Sequence, residues 1–380
     1  MTKSLDLKRA LYFTCLALSV VMFGVFLINS FLATDGDFQV YWRAGRNYVQ
    51  GIPLYDIARD GTHCYKYPPW LAPFFLPFSA LPLRWAEAAW RLCLVFSLGY
   101  CVRWCANHSR TPWLAMAAVI PFWGTWMNNL IAGQITTVLL AAALWGSSTV
   151  ADSNQRDWLG WTALLTSLSA KLFHLIALAG IPQKAWRIRP LAATCLLFVA
   201  LTIPAVLASG GLTPLFHSYL QMLSTPGDIL GGGFYGFPAL AVKWLGWAEH
   251  DPQALSRAAL ILIAVFAPVY VYIARNLEST AERFALALGL ATALHPLAFS
   301  YTFGTAYPLA ALALDRAASG KRLSRLISVP IVLVGIFAIT LVTSKVLGSL
   351  AGYLNGFTIK SIGILIVSVP FAVPSNSRRL

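Results

Sequence analysis

Charge is scarce in this chain. Only 11% of its 380 residues are Asp, Glu, Lys or Arg, whereas soluble domains carry roughly 25%. A soluble globular fold is thereby excluded. Acids are scarcer still, 14 against 28 bases. The resulting net charge of +14 does not indicate nucleic acid, because cytoplasmic loops of membrane proteins collect Lys and Arg. The six cysteines form no CxxC pair and no His/Cys ligand spacing, so neither a disulfide framework nor a metal site is implied. Gly-rich phosphate loops, HExxH and GxSxG are all missing, which removes the common soluble-enzyme chemistries. Internal repeats and low-complexity tracts are absent too.

Hydrophobic residues dominate what is present, at 58% with a mean hydropathy of +0.67. The expected fold is an all-α polytopic membrane protein, one domain over residues 1–380. Crossing about 30 Å of hydrocarbon takes roughly 17–25 apolar residues. Such windows fall near 10–32, 67–83, 86–104, 111–126, 131–149, 158–181, 190–208, 255–274, 283–298, 300–315, 326–347 and 357–374. Twelve spans put both termini on one side. Loops then assigned to the cytoplasm hold fifteen Lys and Arg. Those assigned outside hold seven: Arg43, Arg46, Arg59, Lys66, Arg110, Arg156 and Lys243. This bias places both termini in the cytoplasm. The outer loops are a first one over 33–66 and a second segment over 209–254, which contains GGGFYGFP. The first apolar run is too long for a cleaved leader and reads as a retained helix.

The first outer loop is long, charged and aromatic, unlike a simple connector. Asp35 and Asp37 stand at its start. A carboxylate just outside a helix end can act as a general base if its surroundings raise its pKa, although acids at such ends are often only solvated. Tyr65-Lys66-Tyr67-Pro68-Pro69-Trp70 reads as an interfacial aromatic belt and helix start or as part of a site. Lys171, set among apolar residues, is costly unless it faces a cavity or a partner, or snorkels to the interface. His174 shares its helix face. Gly133-Gln134 follows Asn128-Asn129, and the twelve-span topology turns that junction toward the cytoplasm, away from Asp37, so that either the helix is broken and the motif lies deeper or its role is structural. His295-Pro296 closes a span, with Tyr301 and Tyr307 next.

In order, DFQVYWRAGRNYVQGIPLYD, YKYPPW, AGQ and AKLF resemble the bacterial glycosyltransferase 87 family. Its pattern of Asp-x-x-x-Tyr, Gly-x-x-Leu-Tyr-Asp, Tyr-Pro-Pro, Gly-Gln and a later Lys is matched by Asp37 with Tyr41, Gly51 with Leu54-Tyr55-Asp56, Tyr67-Pro68-Pro69, Gly133-Gln134 and Lys171. Thr136 and His174 stand where the family often has Asn and Pro. The resemblance implies a GT-C-like bundle of about 12 helices with a large first extracytoplasmic loop, in a bacterial inner membrane. It further implies transfer of a mannose-like hexose from a polyprenyl-phosphate sugar to a hydroxyl of a lipid or glycan acceptor on the outer face. Asp37 would be the base. Substrate contacts would come from Asp35, Tyr41, Trp42, Arg43, Arg46, Tyr65, Lys66, Tyr67, Gln134, Lys171, His295 and Tyr301. No cofactor or metal is required, since Arg and Lys can neutralise one phosphate. A transporter or lipid flippase is the alternative, but the paired halves or broken helices expected of one are not evident. A non-catalytic envelope scaffold would tolerate substitution of Asp37.

Overall fold

The computed structural model describes residues 21, 24, 36–152, 157–224, 236–246, 252–296, 300–320, 322–341 and 359–372. The expected first span at 10–32, Asp35, residues 231–235 of GGGFYGFP and both chain termini lie outside them, as does the side chain of Tyr301. Among the described residues every regular element is helical. Helices of eight residues or more are numbered in chain order: α1 Phe38–Gln50, α2 Leu83–Asn107, α3 Val119–Ile131, α4 Thr136–Ala151, α5 Asp157–Ser169, α6 Ile188–Ala208, α7 Leu212–Ser224, α8 Phe237–Trp244, α9 Pro252–Arg275, α10 Thr280–Ala293, α11 Tyr307–Ala318, α12 Arg322–Thr340 and α13 Ile359–Ala372. By length and composition, two stretches can cross a membrane, Ile188–Ala208 and Gln253–Ala274; the α3–α4 pair makes a third if it counts as one broken span.

Local chemistry explains several boundaries. Gly51, at φ 66°, ends α1 in the left-handed conformation and donates its N–H to the Asn47 carbonyl, a glycine C-cap. Ser279 accepts from the Glu282 N–H and starts α10, in the Ser-x-x-Glu pattern of a capping box. Helices α12 and α13 meet where Gly335 and Gly363 face each other too closely for a Cβ on either, the small-residue contact favoured between membrane helices.

Two expected spans do not run as single helices. Residues 67–83 form a 3-10 segment, Pro69–Phe75, and a one-turn helix, Leu76–Ser79. Pro68, Pro69, Pro73 and Pro77 remove the donors a continuous α-helix needs. This segment lies along α1: Tyr41 stacks on Phe75 at 4.9 Å, Phe38 meets Phe78 edge-on, and the Trp42 indole N–H bonds the Leu81 carbonyl. Residues 158–181 are likewise split, into α5 and a 3-10 segment over Leu172–Gly180. Trp161 and Trp186 come back within 5.3 Å of each other. The piece is therefore a hairpin with Lys171 at its tip.

The bundle has two distinct ends, and α2 joins them. Near its start, Trp90 donates to the Gly133 carbonyl at 2.8 Å. Just past its end, the N–H groups of Arg110 and Thr111 donate to the Asp315 carboxylate at 2.9 and 2.7 Å. Seventeen helical residues separate Trp90 from Asn107, about 26 Å at 1.5 Å each. Arg316, beside Asp315, pairs with Glu282 and bonds the Pro370 carbonyl. Arg110 therefore shares an end with Asp315, Arg316 and Glu282. The twelve-span topology had put it on the opposite side from them. The error began at 67–83, which was counted as a crossing but stays at the Asp37 end.

Candidate active site

The break between α3 and α4 builds the floor of the site. The two helices meet at 114°, and Gly133, at φ 67°, makes the turn. A Cβ there would lie 2.9 Å from that of Phe38, and one on Gly36 would lie 2.7 Å from the Ala132 carbonyl oxygen. Both glycines allow the chain before α1 to sit directly on the break. The Asp37 N–H then donates to the Ala132 carbonyl at 2.7 Å. Trp90 holds the Gly133 carbonyl from the other side and stacks on Phe38 with ring centroids 5.4 Å apart. The expectation that Gly133-Gln134 turns toward the opposite side from Asp37 is thus corrected. The segments expected as two spans, 111–126 and 131–149, meet in a sharp break, and that break packs against the Asp37 turn.

Asp37 precedes α1, but its carboxylate makes no capping hydrogen bond. It is half-buried. Burial raises its pKa above the ordinary value of 3.8, while the charges of His63, Lys66 and Lys171 oppose that rise. The result is a carboxylate made more basic by burial and within electrostatic reach of three basic side chains from two parts of the chain. Lys171 arrives from the hairpin tip and donates to the Thr136 hydroxyl at 2.8 Å. Thr136, one of the departures from the family pattern, thus anchors the lysine.

One turn along α1, buried Tyr41 donates to the Gln134 side-chain oxygen at 3.3 Å, and its hydroxyl lies 3.3 Å from that of Tyr67. Gln134 is oriented in turn by its backbone bond to the Asn129 carbonyl. Tyr55 donates to the Tyr67 carbonyl, Tyr65 to that of Pro68, and Tyr219 of α7 tilts against Tyr55 at 5.0 Å. An aromatic wall therefore runs from the site to α7. His295 follows α10. Its ring centroid is 5.5 Å from that of His174, and its carbonyl abuts Gly236 at the entry to α8.

Not every expected residue faces Asp37. Arg43 bonds the His63 carbonyl and pairs with Asp60 at 3.7 Å; Arg46 lies over the Trp42 ring; Trp42 turns to Leu81. These three brace the loop. For Tyr301 only the backbone is described, within the 3-10 segment Ser300–Ala306. Two participants were missed in the sequence, His63 and Trp90, and Thr136 was singled out only as a departure from the family pattern. Of the two missed, only His63 carried a signal, as a titratable residue within the charged loop.

A family model described as Glycosyltransferase family 87 matches residues 65–300, well over half the chain. The chain belongs to glycosyltransferase family 87. It is a membrane glycosyltransferase. Comparisons with curated proteins and with solved structures return no match. Within this family 87 enzyme the matched region takes in Tyr65, Lys66, Tyr67, Gln134, Lys171 and His295. Asp37 and Tyr41 precede it, and their part in the site rests on the contacts described above.

Proposed function

We propose that this glycosyltransferase moves a mannose-like hexose from a polyprenyl-phosphate sugar to the hydroxyl of a lipid or glycan acceptor. The observation that carries the reading is the uncapped, half-buried Asp37 carboxylate within electrostatic reach of His63, Lys66 and Lys171. Asp37 takes the proton of the acceptor hydroxyl as that oxygen attacks the anomeric carbon. The bond from that carbon to the phosphate oxygen breaks, and a polyprenyl phosphate leaves. One displacement inverts the anomeric configuration.

The departing phosphate gains charge and needs fixed positive partners. Lys66 and Lys171 supply it, with His295 behind them. Tyr67 offers an apolar ring face to the sugar, backed by Tyr65, which is buried and stacked on Tyr55. The fold assigned is a GT-C-like helical bundle in a bacterial inner membrane, with the Asp37 end on the outer face. A lipid-linked donor explains why one of these bases, Lys171, comes from a hairpin tip within the apolar bundle. The test is transfer from a polyprenyl-phosphate mannose by purified enzyme and by Asp37→Asn. Equal rates for the two proteins would refute the base assignment.

A further inference from the structure

Below the Asp37 carboxylate lies a group of bases that this reaction scheme uses only in part. His174 begins the second limb of the hairpin, its backbone N–H bonded to the Lys171 carbonyl at 2.7 Å. Its side chain is 4% exposed, and neither ring nitrogen has a hydrogen-bond partner. A buried imidazole that leaves both nitrogens unused is costly, so such a ring calls for a function. Against it, at 5.5 Å between centroids and 55° between planes, lies His295. A cavity of about 20 Å³ opens beside His174, lined by that ring with Lys171, Thr136, Ser167 and Thr305 among aliphatic side chains, enough room for one water. The elements around His174 bring no carboxylate to this lining. α4 contributes Thr136, α5 Ser167, α10 Leu288, and the segment before α11 Thr305. The charged group among these residues is Lys171, which also acts on Asp37.

We propose that His174 and His295 together take up one proton when the leaving phosphate acquires its second negative charge. This rests on the donor assigned above. Transfer turns a phosphodiester monoanion into a monoester dianion and puts the acceptor's hydroxyl proton on Asp37. Before transfer, Lys171 opposes a second positive charge beside it; afterwards the new phosphate charge favours one. The rings are too close for both to become cationic, so they titrate as a unit. The proton released by Asp37 to solvent balances the one the pair gains, and no further reactant enters. Polyprenyl phosphate is therefore held more tightly as pH falls, and product release becomes proton-linked.

The test is calorimetric binding of farnesyl monophosphate to the purified full-length protein in lipid nanodiscs, in two buffers of different ionisation enthalpy. The heat difference counts linked protons. The wild type takes up about one proton more than His174→Phe or His174→Gln, and its Kd falls by up to about tenfold per pH unit where the pair titrates. Both variants retain the wild-type affinity at the alkaline end, where the pair is neutral, and this also reports that they are folded. Binding with the same proton count in wild type and variants overturns the proposal and leaves the donor assignment standing. So does wild-type binding with no proton uptake at all, even if neither variant folds. Absence of wild-type binding removes the donor assignment and the inference with it.

Discussion

The backbone N–H of Asp37 donates to the carbonyl of Ala132, 2.7 Å away, across 95 residues of sequence. That one bond ties the turn before α1 to the broken end of α3 and fixes where the carboxylate stands. Around it gather Gly133, Trp90, Tyr41 and the Lys171 hairpin, so the consequences of altering each can be stated.

Asp37→Asn removes the base and keeps the shape. A positioned general base contributes about 10²–10⁴-fold, so kcat should fall by that order with binding of the donor little changed. Single-turnover transfer measures it.

The pH profile follows from the raised Asp37 pKa. Activity falls as pH drops through that pKa, because the base becomes protonated, and the acid limb lies above the ordinary carboxylate range. Lys66→Met removes a charge that lowers the pKa and should move the limb to higher pH. Stability carries the opposite sign. The native state holds this proton more firmly than the unfolded chain, so the contribution of Asp37 is present at low pH and lost as pH rises through its folded pKa. Asp37→Asn should therefore melt above the wild type at neutral pH, and the gap should close on acidification.

Gly133→Ala places a Cβ against Phe38 at a left-handed backbone position. Strain of about 1–3 kcal/mol is expected, read as a lower melting temperature. Activity should drop further than stability, because the α3–α4 break moves relative to Asp37. Gly124→Ala, in α3 with open space around its Cβ position, is the control.

Tyr41→Phe deletes the hydroxyl that reaches Gln134 and Tyr67. A net loss of about 0.5–1.5 kcal/mol is expected. Combined with Gln134→Leu the effects should not add, since both remove one interaction; a double-mutant cycle on thermal unfolding tests this.

At the far end, Asp315→Ala strips the acceptor from the Arg110 and Thr111 N–H groups. About 1–3 kcal/mol of stability should be lost. The specific activity of the protein that remains folded should be unchanged, because the site lies about 26 Å along α2.

Composition and apolar run length were enough to identify a helical membrane protein, because burying backbone in lipid leaves few solutions besides helices. The order of Asp37, Tyr41, Tyr67-Pro68-Pro69, Gly133-Gln134 and Lys171 was equally legible, and with it the family. What hydropathy could not show is where an apolar segment turns back. Residues 67–83 and 158–181 are greasy enough to cross, yet the prolines of one keep it along α1 and the break at Lys171 folds the other into a hairpin. A glycine at φ 67° does the same between α3 and α4. Only tertiary packing chooses between crossing and returning, since both bury the same apolar surface and differ in which helices they meet. That choice brought Gly133-Gln134, Lys171 and His295 to the Asp37 end, and it made the charged loop around Asp37 one wall of a site completed from within the bundle.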